Sequence, residues 1–246
     1  MPENRFVGDI AHRYDSTHAE RSSAEVVAPT VECLRDLADG GAALEFAIGT
    51  GRVAVPLVAA GVDVSGIELS ADMLAELRAK DGAAGIDAVE GDMATTRVDG
   101  EFSIVYLVYN TITNLTTQDE QVACFENAAR HLQPGGRFVI ENLVPSLRAL
   151  PPGAPGSVFG LTEDYVGIDD FLDRTHRQIS RSRHFRRIDE HTFSELTIPF
   201  RYVWPAELDL MARIAGMSLE HRWADWDRSE FTGESPSHIS VWRLPT

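Results

Sequence analysis

The chain has 246 residues, of which 43% are hydrophobic and 24% charged, and these proportions argue against a disordered chain and against a membrane protein. The formal net charge of −16 argues against a nucleic-acid partner, because a phosphate backbone would be repelled. No apolar run approaches the ~20 residues that span a bilayer, and the first residues lack a signal peptide's pattern. We therefore expect a cytoplasmic protein without a membrane partner.

A helix is predicted first, over 23–39, and its apolar spacing suggests that it packs on the edge of a sheet. From residue 43 to about residue 144, strand and helix patterns alternate, which is typical of a mostly parallel sheet with helices on both faces. The strands are predicted at 43–46, 62–69, 86–90, 102–109 and 138–143, and the helices at 53–60, 71–80 and 118–132. Cys33 and Cys124 lie in the helical patterns and are predicted to be buried, reduced thiols.

Residues 145–160 are rich in proline and glycine and predict a linker or lid without a regular element. Alternating residues then indicate antiparallel strands at 176–184, 191–198 and 200–204. The basic cluster from Arg174 to Arg187 is interpreted as the exposed face of these strands. A helix over 206–215 and a last strand over 238–244 complete the chain.

Two glycines follow the first strand in the run Leu44-Glu45-Phe46-Ala47-Ile48-Gly49-Thr50-Gly51-Arg52. Glycine lets the backbone turn sharply and approach a ligand, and the next helix directs free N–H groups at an anion. Glu68 ends the next strand, where a carboxylate can accept hydrogen bonds from ribose hydroxyls. The pattern predicts a nucleoside-containing cofactor, but Gly49-x-Gly51-x-x-Ala54 also fits a dinucleotide fingerprint.

Four motifs occur in order along the chain: Glu45-x-x-x-Gly49-x-Gly51, Glu68 with Leu69-Ser70-x-x-Met73-Leu74, Gly91-Asp92-Met93, and Leu132-x-Pro134-Gly135-Gly136. Together they resemble the class I S-adenosylmethionine-dependent methyltransferases, in particular the bacterial enzymes that methylate small molecules. The resemblance implies an α/β, Rossmann-like fold, a doubly wound and mostly parallel seven-stranded sheet with an added antiparallel β cover. It also implies S-adenosylmethionine as cofactor and S-adenosylhomocysteine as product.

Each motif has a role in the family that this chain is expected to share. Gly49 and Gly51 would approach the methionine part of the cofactor, while Glu45 would stabilise the loop or the cofactor's ammonium group. The family commonly carries glycine where this chain has Ala47, and the extra methyl group is expected to push the loop outward. Glu68 would accept both ribose hydroxyls.

The adenine ring is expected near the ends of the second and third strands. Asp92 would bind the adenine amino group, and Met73 and Met93 would border the ring. Leu69, directly after Glu68, is included in the same cofactor site.

The methyl acceptor is expected beyond the carboxyl ends of the strands, where open α/β sheets bind ligands. The resemblance places Tyr109 and Asn110 beside the transferred methyl group and Tyr109 also against the cofactor, although Asn110 could instead cap the next helix. Glu141 is polar where a buried strand should be apolar, which favours a site role over a structural pair with Asn142. Tyr14 resembles the lid tyrosine of many relatives, the alternative being a solvated helix end.

The whole pattern divides the chain into four segments. They are an N-terminal lid at 1–22, a cofactor-binding core at 23–144, a linker and antiparallel substrate cover at 145–204, and a helix and strands at 205–246 that complete the core sheet. We expect a monomer or a homodimer.

The sequence thus predicts a methyltransferase that moves a methyl group from S-adenosylmethionine to an oxygen, nitrogen or carbon of a small molecule by in-line displacement, with a specialised metabolite as the expected acceptor. Two alternatives stay open, an NAD(P)-binding oxidoreductase and a non-catalytic nucleoside-binding module on the same fold. No His, Cys, Asp or Glu cluster has metal-ligand spacing, so no metal is expected.

Overall fold

The computed structural model describes residue 4 and residues 6–17, 23–189 and 192–246. The strands are β1 (Ala43–Phe46), β2 (Val64–Glu68), β3 (Asp87–Glu90), β4 (Phe102–Leu107), β5 (Leu132–Leu143), β6 (Gly156–Leu161), β7 (Tyr165–Asp173), β8 (Ile179–Arg187), β9 (Phe193–Arg201), β10 (Ser218–Trp223) and β11 (Ser237–Arg243). The helices are α1 (Asp9–His12), α2 (Tyr14–Thr17), α3 (Ala24–Ala38), α4 (Ala54–Ala59), α5 (Ala71–Arg78), α6 (Gln118–His131) and α7 (Pro205–Ile214). Short 3₁₀ turns lie at Ala83–Gly85, Thr111–Asn114 and Ser146–Ala149.

A seven-stranded sheet in the order β10-β11-β5-β4-β1-β2-β3 forms the centre of the fold. The strands β1 to β5 pair in parallel, and β11 is antiparallel to both β5 and β10. The chain leaves β1 toward β2 on one side and returns as β4 on the other. The strand order therefore reverses between β1 and β4, and a crevice opens beyond their carboxyl ends.

Apolar clusters on both faces of this sheet make it doubly wound, as the resemblance implies. One cluster contains residues of α3, α4 and α5, including Leu34, Leu57 and Leu74. The other contains residues of α6 and α7, including Phe125 and Met211. Cys33 and Cys124 are both buried and free, which confirms the expectation of reduced thiols.

The position of α3 differs from the prediction. We expected this helix at the sheet's edge, but it packs on one face, against β4 near the middle of the sheet and against α4. An amphipathic helix buries more apolar area on the face of a sheet than at its edge, and Val27, Leu34 and Leu37 all enter that cluster.

The ends of α6 also correct two expectations. Thr117, not Asn110, caps this helix, in a capping box in which Thr117 and Glu120 each bind the other's backbone N–H. At the other end, β5 begins at Leu132 rather than at residue 138, because Leu132 is already extended and pairs with Phe102. The stretch Pro134-Gly135-Gly136 is therefore an irregularity near the start of a strand.

A separate four-stranded antiparallel sheet has the order β6-β7-β8-β9. The linker predicted at 145–160 is wrong in part, since it contains the turn Ser146–Ala149 and the start of β6. Only glycine fits at position 156, because a Cβ there would collide with the backbone of Asp169. The pattern at 165–173 is β7, which was not predicted as a separate strand.

The two strands predicted at 191–198 and 200–204 form one strand, β9, although His191 lies outside the described residues. Pro199 interrupts the sequence pattern but not the strand. Because β9 is an edge strand, a proline is tolerated where its missing N–H would face outward.

The basic cluster lies largely on β8, as expected. Arg181 and Arg183 point to the same face, where they pair with Asp170 at 3.0 Å and Glu195 at 3.1 Å respectively. Arg186 alternates to the opposite face and lies over the Tyr165 ring. Within the described part of the chain, no helix is long and apolar enough to cross a membrane.

The turn after β1 generates a prediction about stability. Ala47 and Gly49 both have left-handed backbones, with φ of 52° and 57°. An alanine is disfavoured there by ~1–2 kcal/mol, and a glycine loses ~0.5–1 kcal/mol more chain entropy on folding. Ala47→Gly should therefore raise the free energy of unfolding by up to about 1 kcal/mol, measured by urea denaturation.

Gly49→Ala is the matched control, because a Cβ at that position would meet no atom closer than 3.6 Å and only the backbone is tested. It should lower the free energy of unfolding by about 1 kcal/mol. The interpretation is wrong if Ala47→Gly destabilises the protein as much as Gly49→Ala does.

Candidate active site

The crevice between β1 and β4 contains a small, partly open cavity of about 50 Å³. The loop after β1 and the loop after β4 line it from opposite sides, and Tyr14 of α2 covers it. The lining residues are Tyr14, Glu45, Ala47, Ile48, Gly49, Thr50, Arg52, Val53, Val108, Tyr109 and Thr111. The fold therefore brings five predicted site residues, 14, 45, 47, 49 and 109, to one place.

The glycine turn owes its shape to three left-handed residues, Ala47, Gly49 and Gly51. At Gly51 a Cβ would collide with Leu77 of α5, so both the backbone and the packing require glycine. The methyl group of Met73 lies 3.6 Å from the place of a Cβ on Gly49. The turn is thus held tightly against α5, and Met73 borders it.

Glu68 is buried and connects the end of β2 to this turn. Its Oε2 accepts a hydrogen bond from the Gly49 N–H at 2.8 Å, and its Oε1 accepts one from the Ser70 N–H at 2.9 Å. Burial raises the pKa of Glu68, and the two N–H groups act in the opposite direction. A carboxylate offers about four acceptor positions, so two stay available for hydroxyl groups.

Glu45 is a second buried carboxyl group, at the end of β1. The Tyr106 hydroxyl of the neighbouring strand β4 donates to its Oε2 at 2.8 Å. Burial raises the pKa of Glu45 to about 8, although the Tyr106 hydrogen bond and the positive charge of Arg52 oppose the shift. Sequence reasoning gave Tyr106 no role, because only the register of β1 against β4 shows that these two residues face each other.

The turn after β3 carries Asp92. Its Oδ1 accepts from the Ala94 N–H at 2.9 Å, and its own N–H donates to Thr96 Oγ1 at 2.8 Å. Gly91 is needed because a Cβ would collide with Thr96. The Gly91 N–H donates to the Glu68 carbonyl at 2.8 Å, which places the ends of β2 and β3 side by side.

Met93 and Leu69 complete the predicted adenine side. Met93 is buried in the cluster on the α6 face, and Leu69 is half-buried, with its carbonyl accepting from Asn4 at 3.4 Å. The structure places Leu69 next to Glu68 and Met93 next to Asp92, at the ends of adjacent strands.

Tyr109 and Asn110 follow β4 and both have left-handed backbones, with φ of 62° and 58°. The Tyr109 N–H donates to Glu141 Oε2 at 2.7 Å, and the Asn110 N–H donates to the Glu141 carbonyl at 3.1 Å. Asn110 Oδ1 accepts from the Leu143 N–H at 3.1 Å. Glu141 and the Leu143 N–H of β5 therefore hold two consecutive left-handed residues that follow β4.

A larger cavity of about 450 Å³ adjoins the first, because Arg52 and Tyr109 line both. Its wall comes from the beginning of α3, the end of β5 and the loop after β10, namely Glu25, Val26, Pro29, Thr30, Arg52, Tyr109, Glu141, Asp225, Trp226 and Asp227. Four of these side chains are carboxylates and one is a guanidinium, and the Arg52 guanidinium lies 5.1 Å from the centre of the Tyr109 ring. The cavity is therefore acidic.

Asp225 and Asp227 are both exposed in the turn after β10, and sequence reasoning did not predict that this turn lines a cavity. The available signal was Trp226 between the two aspartates, since a large aromatic residue in a surface loop indicates packing. Among the described residues of 145–204, none lines either cavity.

The N-terminal segment lies over α5, although residues 1–3, 5 and 18–22 of the predicted lid lie outside the described ranges. The Gly8 N–H donates to Asp72 at 2.7 Å, and His12 contacts Glu76 at 2.5 Å. Asp15 accepts from Thr50 at 2.6 Å and pairs with Lys80 at 2.5 Å. These contacts hold Tyr14 above the glycine turn.

Within the described ranges, no three or more His, Cys, Asp or Glu side chains are arranged so that they could hold a metal ion together.

Comparisons with known proteins agree with this geometry. Residues 43–136 match a family model described as a methyltransferase domain. The chain is 31% identical over 183 residues to a cypemycin N-terminal methyltransferase from a Streptomyces species, covering 74% of each chain. It is 33% identical over 148 residues to a dTDP-3-amino-3,6-dideoxy-alpha-D-glucopyranose N,N-dimethyltransferase from Streptomyces fradiae, covering 57% of this chain and 55% of that one.

Among solved structures, the CcbJ methyltransferase from Streptomyces caelestis superimposes with a TM-score of 0.80 at 33% identity, covering 89% of each chain. The family model spans β1 to the start of β5, and this stretch includes the glycine turn, Glu68 and Asp92. The chain belongs to the class I S-adenosylmethionine-dependent methyltransferases that act on small molecules.

Proposed function

We propose that the protein transfers the methyl group of S-adenosylmethionine to an amine of a specialised metabolite. The observation that carries this proposal is the acidic wall of the larger cavity, where four carboxylates face a space next to Tyr109. A cationic amine would be attracted there. Two of the similar proteins are named for methylation at an amino group, which supports the same acceptor class.

The glycine turn and the two buried carboxyl groups suit the amino-acid and ribose parts of S-adenosylmethionine. Gly49 exposes backbone without a Cβ to the small cavity, which Ala47 also lines, and the buried Gly51 lets the turn pack against α5. Glu68 has acceptor positions for ribose hydroxyls in addition to the two backbone N–H groups that it already binds. Glu45 faces the cavity from the end of β1.

The adenine ring would lie between the ends of β2 and β3. We assign its amino group to Asp92, whose Oδ1 binds the Ala94 N–H, and its faces to Met73, Met93 and Leu69. The carboxyl groups of Glu68 and Asp92, at the ends of β2 and β3, suit a cofactor with a net positive charge better than they suit a pyrophosphate, which favours S-adenosylmethionine over NAD(P).

The sulfonium supplies an already activated methyl group, so alignment of the acceptor and exclusion of water are the tasks of the protein. Tyr14 and Tyr109 close the small cavity from two sides and would direct the amine along the line of displacement. Glu141 accepts a hydrogen bond from the Tyr109 N–H and so holds Tyr109 in its left-handed conformation. An amine needs only to be neutral to react, and a nearby carboxylate can accept its proton.

Each of the four segments of the chain is assigned a role in this proposed reaction. Residues 1–22 act as the lid over the cofactor, 23–144 bind it, and 205–246 complete the sheet and add the acidic loop at 225–227. We propose the antiparallel sheet within 145–204 as the substrate cover. A monomer or a homodimer remains our expectation for the oligomeric state.

Calorimetry with S-adenosylhomocysteine and with NAD tests the cofactor. We expect only S-adenosylhomocysteine to bind, and Glu68→Gln to weaken its binding by ~1–3 kcal/mol, since an amide replaces an acceptor of several hydrogen bonds. Glu90→Gln is the control, because Glu90 lies opposite Glu68 in the register of β3 against β2 but is exposed. Binding of NAD alone, or equal losses in the two variants, would refute the assignment.

Glu45 generates a pH prediction. Because the pKa of Glu45 is raised to about 8, the group is protonated at pH 7 in the free protein, and a cationic ammonium group would favour its ionised form. Binding should release a proton below pH 8, so affinity should rise as the pH approaches 8. The raised pKa also means that the Glu45 contribution to folding stability falls between pH 4.5 and about 8.

Calorimetry of S-adenosylhomocysteine in two buffers of different ionisation enthalpy measures the released proton at pH 7. Glu45→Gln should abolish the difference between the buffers, and Glu90→Gln should preserve it. Equal heats in both buffers for the unmodified protein would contradict the predicted role of Glu45.

The acceptor class is tested with methyl-labelled S-adenosylmethionine and pairs of compounds that differ only by an amino or a hydroxyl group. We expect label on the amines, and Glu25→Gln combined with Asp225→Asn should raise the KM of the amine about 3–10-fold, since exposed ion pairs contribute up to ~1 kcal/mol each. Asp87→Asn, at the exposed start of β3, should change nothing. Labelled hydroxyl compounds with unlabelled amines would overturn the proposal.

A further inference from the structure

Helix α6 carries two fully buried side-chain amides, Gln121 and Asn127. A buried amide must find hydrogen-bond partners, because an unpaired one costs ~1–3 kcal/mol. Neither amide binds within its own helix. Both direct their N–H groups at the carbonyls of loops that leave the carboxyl ends of the sheet.

Gln121 binds the loop on the acceptor side. Its Nε2 lies 3.2 Å from the Ile112 carbonyl, 3.1 Å from the Leu115 carbonyl and 3.1 Å from the Arg201 carbonyl. Its Oε1 accepts from Arg201 Nη1 at 2.5 Å. The first two carbonyls belong to the turn Thr111–Asn114 and the residue after it, directly behind Tyr109 and Asn110.

Asn127 binds the loop on the adenine side. Its Nδ2 donates to the Met93 carbonyl at 2.9 Å and to the Thr96 carbonyl at 2.9 Å. Its Oδ1 has no hydrogen-bond partner among the described residues, so the contacts of this amide are donations to the loop. Asp92 lies directly before this loop.

Apart from the short 3₁₀ turn Thr111–Asn114, these loops have no helix or strand of their own at the points where the amides bind. The two amides lie six residues apart on one helix, and that helix packs against β4 and β5. A rigid helix therefore sets the positions of both loops relative to the same strands. A shift of about 1 Å in such a loop can reduce a rate by ~100-fold.

We propose that Gln121 and Asn127 are positioning residues with separate tasks. Gln121 places Tyr109 and Asn110 for the acceptor, and Asn127 places Asp92 and Met93 for adenine. The assignment rests on the proposed function, since it requires that the two loops serve different ligands. A purely structural role for the amides would instead affect both ligands alike or neither.

The test compares Gln121→Met with Asn127→Leu, because each change removes the amide at similar volume. For Asn127→Leu we expect a Kd for S-adenosylhomocysteine at least 10-fold higher by calorimetry, with the KM of the amine at saturating cofactor within twofold. For Gln121→Met we expect kcat/KM for the amine at least 10-fold lower, and a Kd for S-adenosylhomocysteine raised no more than about threefold, since Tyr109 and Thr111 also line the small cavity. Glu126→Gln, a partly exposed position of α6, is the control and should change neither constant.

Gln121→Glu and Asn127→Ser provide a second pair if the apolar variants do not fold. The first keeps a partner for Arg201 and the second keeps one donor, so both should show the same division of effects, about 3-fold or more. Equal losses in both constants, or lower melting temperatures with both constants unchanged, would overturn the assignment. Absence of S-adenosylhomocysteine binding by the unmodified protein would refute the proposed function itself, which separates the two failures.

Discussion

The hydrogen bonds from the Gly49 and Ser70 N–H groups to Glu68 are the contacts on which the site depends. They join the turn after β1 to the end of β2, and they are made by a buried carboxylate whose acceptor capacity they do not exhaust. The turn can reach Glu68 only because Ala47, Gly49 and Gly51 are left-handed. Left-handed backbone and a buried carboxylate each cost free energy by themselves. The hydrogen bonds between them stabilise both, and the remaining acceptor positions of Glu68 suit the hydroxyl groups of a nucleoside.

A similar arrangement, left-handed backbone held by hydrogen bonds to a carboxylate, lies after β4 on the other side of the crevice. Two consecutive left-handed residues, Tyr109 and Asn110, end β4 and are held by Glu141 and by the Leu143 N–H. Arg52 lies between the two cavities, over the Tyr109 ring. Behind these loops, α6 contributes buried amides rather than apolar side chains. The polar groups of the site are therefore supported by further hydrogen bonds, which fits the need for fixed geometry in a methyl transfer.

Local sequence patterns predicted the secondary structure correctly where a motif and the residues that it contacts are close in the sequence. The run 43–51, Glu68 and the helix signals at Ser23 and Gln118 predicted β1, β2, α3 and α6 to within a few residues. The predictions were wrong where contacts with residues distant in the sequence determine the local structure. The strand β6 forms because Gly156 fits against Asp169, β9 passes through Pro199 because it lies at an edge, and α3 crosses a sheet face because its apolar side meets β4 and α4. None of these partners is adjacent in the sequence.

The sequence by itself determined the nucleoside-binding strands, the glycine turn, the acidic residue after β2 and the family to which the chain belongs, because these depend on short-range spacing. The tertiary structure alone decided that Tyr106 faces Glu45, that Glu141 binds the Tyr109 backbone, and that α3 and the loop at 225–227 form one acidic wall of the larger cavity. Those relations join strands and loops that are 30 or more residues apart. Only the strand order and the register of the sheet bring these residues together, and a local sequence pattern predicts neither of the two.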